Sequence, residues 1–225
     1  IVDGTTAQAN ECPETALDLY EEQVLHAPAH RFHTDPVLHA WARTFRECRL
    51  NEDHVRAFFA SMRADLTQTT FTKQELDTYI YGSAEVIGLM CLDVFLRGRD
   101  TPHRSELEDG ARALGSAFQK VNFLRDLGED SRALGRAYFN AKLDDDLKST
   151  LTSQITDELD RAHTAIPLLP PAARGGVAAA EALFRELNAR IAATPAAELR
   201  TTRVSVPNHR KLALTARALA NARNQ

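Results

Sequence analysis

Ala117-Phe-Gln-Lys-Val-Asn-Phe-Leu-Arg-Asp-Leu-Gly-Glu-Asp130 is the stretch that decides how the rest of the chain is read. Asn122, Asp126 and Asp130 stand at i, i+4 and i+8, and Gln119 lies three residues before Asn122. At about 3.6 residues per turn, all four fall within about a quarter of a helix circumference. Ala117, Phe118, Val121, Phe123, Leu124 and Leu127 fill the other faces. The spacing therefore predicts a long helix that is largely apolar and carries one narrow stripe of amides and carboxylates.

Carboxylates one turn apart in an apolar setting repel each other and lose hydration, a heavy cost unless a cation compensates. A hard divalent cation with oxygen ligands relieves it. Mg²⁺ typically takes one or two carboxylates and completes its octahedron with water and phosphate oxygens. Arg125 and Lys120 stand close enough in sequence to meet phosphate oxygens as well. The alternative is a solvated helix face, although such a face more usually holds Lys and Glu than Gln and Asn.

Working outward, helix signals dominate and β-branched alternation is nearly absent. Pro13 opens a helix to about His26, and Pro36 opens one to Cys48. Asn51 is placed to cap a helix running to Leu66. Thr72 and Glu75 form a capping box for a long apolar helix, Lys73 to Leu96. After a loop bracketed by Gly98 and Pro102, the helix of the stripe spans His103 to about Asp130, followed by a loop with a short helical turn to Leu143. Further helices are expected from Asp144 to Pro167, Pro171 to Ala193 and Pro207 to Arg223. Six to eight helices without a convincing strand make the fold class all-α, a helical bundle. The alanines of 172–182 read simply as strong helix formers.

The chain has 225 residues, 44% of them hydrophobic and 26% charged, enough for a sizeable core in one domain, residues 1–225. A net charge of −4 gives a nucleic-acid partner no electrostatic support. The longest uninterrupted apolar run, Val86 to Leu92, falls far short of the roughly 20 residues of a membrane span. No signal peptide is visible, and Cys12, Cys48 and Cys91 read as free thiols of a reducing, cytoplasmic setting. The first residue is Ile1 rather than Met, which implies upstream helical sequence. His26, His30, His33 and His39 read as a surface cluster, because Pro28 interrupts their helical spacing and no Cys or Glu completes a ligand set. No glycine-rich phosphate loop or dinucleotide fingerprint is present, so NADPH is not expected.

Phe118 to Asp130 resembles the second aspartate-rich motif of the squalene/phytoene synthase family. Four further segments resemble the same family in the same order: Met62 to Leu66, Tyr79 to Leu92, Gly135-Arg-Ala-Tyr-Phe139, and Arg203-Val-Ser-Val-Pro-Asn-His-Arg-Lys-Leu212. Ile1-Val-Asp-Gly4 is similar to the end of the family's first aspartate motif, whose opening aspartate would precede Ile1. The resemblance implies an isoprenoid-synthase helical bundle around a central cavity. It implies a transferase that joins two prenyl diphosphates head to head in isoprenoid and carotenoid biosynthesis, nearest to its phytoene-forming members.

On that resemblance Asp3, Asn122, Asp126 and Asp130 hold Mg²⁺ (or Mn²⁺), with Tyr79, Asp126 and Asp130 catalytic. Tyr81, Gln119, Asn122, Arg125, Tyr138 and Arg203 contact substrate, and Asp65 either supports the upstream pocket or is simply a polar residue at a helix end. The implied course is departure of a diphosphate, attack on the allylic cation and a cyclopropyl diphosphate intermediate. Two alternatives stay open: a farnesyl-using dehydrosqualene or squalene type, and a non-catalytic assembly factor. Each tyrosine also has a plain reading, as a packed ring with a hydrogen-bonded hydroxyl. Glu85 stands where the family often has Gly, Phe184 where some members have Tyr, and Asn140 replaces a usual Pro. An oily product implies passing contact with a bilayer. Oligomeric state is not legible.

Overall fold

The computed structural model describes residues 12–133 and 143–223; the side chains of 128–133 and 223 lie outside that description. Among the described residues the regular structure is helical. The helices are α1 (Pro13–His26), α2 (Pro36–Cys48), α3 (Glu52–Thr67), α4 (Lys73–Ile80), α5 (Val86–Leu96), α6 (Arg104–Ala133), α7 (Asp145–Ala165), α8 (Pro171–Ala193), α9 (Ala196–Leu199) and α10 (Asn208–Arg223).

Local chemistry accounts for the helix ends. The Asp35 carboxylate accepts from the Val37 and Leu38 amides at 2.7 and 3.0 Å, with Pro36 in the first turn of α2. Asn51 caps α3 through the Asp53 amide at 2.9 Å. The Thr72–Glu75 capping box forms as expected. Asp144 caps α7 through the Leu147 amide at 2.8 Å. At the end of α5 the chain turns left-handed through Arg97 and Gly98, and the Gly98 amide returns to the Asp93 carbonyl.

The segment read as one helix, Lys73 to Leu96, is a continuous rod with a π turn, Tyr81–Glu85, between α4 and α5. An α-helix turns about 100° per residue, so side chains four apart drift by about 40°; one wider turn winds that drift back. Ser83, Ile87, Cys91 and Phe95 consequently share one face. By length and composition alone this rod passes as a candidate membrane span, a test that the core helix of a folded domain passes as well. Half of its most apolar window is buried within the bundle.

Two glycine contacts lock the rod against α6. A Cβ on Gly88 would come within 2.4 Å of the Ala111 carbonyl oxygen, and one on Gly115 within 2.5 Å of that of Ala84. The glycines of the rod thus serve close helix approach. The main core lies on the other side of α6, where Ala117, Val121 and Leu124 meet Ile155 and Leu159 of α7, Leu187 and Ile191 of α8, and Leu199 of α9. The short helix α9, absent from the expected pattern, helps seat the segment that follows it.

Candidate active site

The α4–α5 rod, α6, the end of α7 and the first half of α8 form an apolar cavity of about 570 Å³ that is open to solvent along Ile87, Cys91 and Phe95. Ser83, Ile87, Cys91 and Phe95 line it from the rod, and Leu107, Ala111, Leu114, Phe118 and Gln119 from α6. Ala172, Ala173, Gly176 and Ala180 complete the wall from α8. These alanines do more than favour helix: their small side chains leave the bore open. Phe118 stacks on Phe184 of α8, with ring centroids 3.7 Å apart and planes 19° from parallel. Leu92, Leu107 and Leu169 pack together at the opposite end.

The polar stripe begins where the cavity reaches Gln119. One turn along α6, Asn122 Oδ1 is buried and has no hydrogen-bond partner among the described residues. Ser83 Oγ is likewise buried and unpartnered. One more turn along, the Asp126 carboxylate accepts from Arg125 Nε at 2.9 Å and from Arg203 Nε at 2.7 Å, with a further contact to Arg125 Nη2. Arg203 arrives on an extended segment whose Val204 and Val206 pack on the core while Arg203 and Ser205 face outward. That two-residue alternation delivers its guanidinium over α6. Burial pushes the Asp126 carboxyl up, and the bonds from Arg125 and Arg203 outweigh it, so it lies below the usual carboxylate range.

Gln119, Asn122, Arg125, Asp126 and Arg203 therefore come together at one end of the cavity. Asp130 lies one turn further on in α6, with its side chain outside the described residues. Asp3 and Tyr138, also expected in the site, are outside the described residues altogether. Lys120, expected near phosphate, instead donates to Glu158 of α7 at 2.5 Å, and the same Glu158 oxygen accepts from Ser116 at 3.1 Å. Glu158 was missed because its neighbours Asp157 and Asp160 are exposed and make the segment read as solvated.

Tyr79 and Tyr81 part company. Tyr79 is buried, its hydroxyl donating to the Asp65 carboxylate at 3.0 and 3.1 Å. Its ring lies 5.2 Å from that of Phe71 and 6.1 Å from that of Phe123, the neighbour of Asn122. Asp65 thus holds the hydroxyl of Tyr79. Tyr81 points across the rod into a separate polar cleft of about 500 Å³. There Arg112 lies over the Tyr81 ring at 5.5 Å and donates to Glu85 at 2.8 Å. Glu85 therefore reaches neither bulk solvent nor the stripe; it is an ion-pair partner of α6.

The oxygen donors of the stripe suit a hard divalent cation. An orphaned amide oxygen beside a carboxylate with depressed proton affinity is an all-oxygen set of the kind Mg²⁺ prefers. The described residues hold no cluster of three or more His, Cys, Asp or Glu side chains.

The sequence model of the squalene/phytoene synthase family matches residues 1–210. The chain belongs to that family. It is 36% identical over 149 residues to the phytoene synthase of Arthrospira platensis, covering 61% of this chain and 46% of that one. It is 30% identical over 129 residues to the 4,4'-diapophytoene synthase of Staphylococcus haemolyticus, covering 56% and 42%. The matches span between a third and a half of these curated relatives' length. A crystal structure of a dehydrosqualene synthase in complex with ligand shares the fold with a TM-score of 0.76 at 21% identity, covering 95% of this chain and 80% of that one.

Proposed function

We propose that this protein joins two prenyl diphosphates head to head with Mg²⁺, taking geranylgeranyl diphosphate to phytoene. One observation carries the reading: an apolar bore ends on a stripe of oxygen donors with arginines beside it. A prenyl diphosphate has the same two parts, a greasy tail and a charged head. The tail fits the bore between the rod, α6 and α8; the head fits Gln119, Asn122, Arg125 and Arg203.

Asn122, Asp126 and Asp130, with Asp3 from the first motif, are the residues that would hold Mg²⁺, which when bound draws charge from a departing diphosphate. Arg125 and Arg203 add fixed positive charge where the leaving group's charge grows. The apolar walls of the cavity offer an allylic cation few water-binding groups. Tyr79, set beside Phe71 and Phe123, places ring faces near the polar end, where a cation is attracted to them. Tyr81 faces the other way and has no part in this reading. Contact with a bilayer follows from the oily product alone.

The test is incubation of the full-length protein with Mg²⁺ and labelled geranylgeranyl diphosphate. Diphosphate and a C40 hydrocarbon are the expected products. A C30 product from farnesyl diphosphate, with none from the longer substrate, would replace phytoene with dehydrosqualene. Full turnover in both Asp126→Ala and Asp130→Ala would overturn the metal assignment.

A further inference from the structure

We infer that Ser83 is a further substrate contact: its hydroxyl donates to the ester oxygen of a bound prenyl diphosphate, the atom that carries off the electron pair when the carbon–oxygen bond breaks. This deepens the prenyl diphosphate reading and rests on it. Ser83 Oγ is buried and has no partner among the described residues. A hydroxyl inside a helix normally turns back to the carbonyl four residues earlier. Those of Thr78, Thr150, Thr152 and Thr156 do so here, at 2.9–3.0 Å. For Ser83 that carbonyl belongs to Tyr79, and it accepts from Ser61 Oγ instead, at 3.2 Å.

The place of Ser83 says what its hydroxyl is left for. The π turn brings it onto the face that lines the bore. It is the first lining residue of the rod, and Gln119 is the last of α6. The rod and α6 run antiparallel. A Cβ on Gly115 would lie 2.5 Å from the Ala84 carbonyl oxygen, and further back along the rod the Tyr79 ring lies 6.1 Å from that of Phe123. Ser83 falls between these two contacts, level with the turn from Gly115 to Gln119. Two polar side chains, one from each helix, therefore stand where the apolar wall gives way to Asn122 and Asp126. A prenyl diphosphate changes from tail to head at one bond, between C1 and the ester oxygen. Carbon offers a hydroxyl no acceptor, whereas the oxygen does. When that bond breaks, its electron pair stays with the oxygen and C1 becomes the allylic cation. The Ser83 hydroxyl keeps its proton, and its hydrogen bond strengthens as negative charge grows on the oxygen.

The experiment compares full-length wild type with Ser83→Ala in the presence of Mg²⁺. Three quantities are read: single-turnover release of diphosphate from labelled geranylgeranyl diphosphate, calorimetric affinity for its S-thiolo analogue, and melting temperature. The analogue carries sulfur, a weak acceptor, at the ester position, so it binds without this hydrogen bond. Ser83→Ala should release diphosphate at least about tenfold more slowly and bind the analogue within about twofold of wild type. It should melt no earlier, because a hydroxyl with no protein partner leaves no group stranded when it is removed. Release within about twofold of wild type overturns the inference. So does slower release matched by an equal loss of analogue affinity, which would make Ser83 part of the shape of the bore alone. Earlier melting would give the hydroxyl a structural partner and overturns it too. In these cases wild type still turns over, and the parent reading stands. A wild type that releases no diphosphate from either geranylgeranyl or farnesyl diphosphate overturns the parent reading and this one together.

Discussion

The two faces of the α5–α6 pair differ in charge: ion pairs crowd one, and an apolar pocket lies on the other. On the cleft side charges answer one another, although His54 Nδ1 there is also buried without a partner among the described residues. Arg104 donates to the buried Asp93 at 2.6 Å and to Glu108 at 2.5 Å, and Arg112 holds Glu85. On the cavity side, Ser83 Oγ and Asn122 Oδ1 are buried with no partner among the described residues, next to an apolar bore. Burying an unpaired polar atom costs about 1–3 kcal/mol, and proteins rarely tolerate it without a use. The contrast separates the face that holds the fold together from the face shaped for something else. Tyr79 and Tyr81, two residues apart, fall on either side of that division.

The comparison can be broken most forcefully at Asp126. Asp126→Ala should lower diphosphate release by at least about a hundredfold while helical circular dichroism is retained. Unfolding instead would return the stripe to a structural role. The cleft side should show the reverse. Arg104→Ala strands the nearly buried Asp93 and should cost about 2–3 kcal/mol in urea melts, discounted for the partial exposure of Arg104. Turnover per folded molecule should stay within about twofold of wild type.

The tyrosines sharpen the contrast further. Tyr79→Phe removes the hydroxyl bonded to Asp65 and should cost about 1 kcal/mol of stability, with turnover measurably lowered. Tyr81→Phe keeps the ring under Arg112 and should change stability by less than about 0.5 kcal/mol, with no effect on turnover.

Acid titration gives the smallest signal. A carboxyl depressed in the folded state contributes stability above its unfolded pKa and loses it as pH falls through the folded value. The melting-temperature gap between wild type and Asp126→Asn should be full above about pH 5 and shrink as pH drops below about 3.9. A gap independent of pH would mean that the arginine contacts do not hold Asp126 in solution.

Much of this arrangement was legible in the sequence. Caps fixed the helix starts at Pro36, Asn51 and Thr72, because a cap needs only residues three or four apart. The stripe at Gln119, Asn122 and Asp126 was legible for the same reason: one helix carries it whole. What depends on a second helix was not. The partner of Lys120 sits 38 residues away in Glu158, and nothing local marks it. The side taken by Tyr81 depends on a π turn, which no periodicity announces. The alanines of α8 read as helix formers because their second role, lining a bore, exists only once α5 and α6 stand opposite.

The carbonyl contacts at Gly88 and Gly115 have a mechanical outcome. With main chain resting on main chain at two levels, α5 and α6 act as a stiff plate with no side-chain cushion to compress. α8 meets that plate through alanines and open space, without a comparable backbone contact.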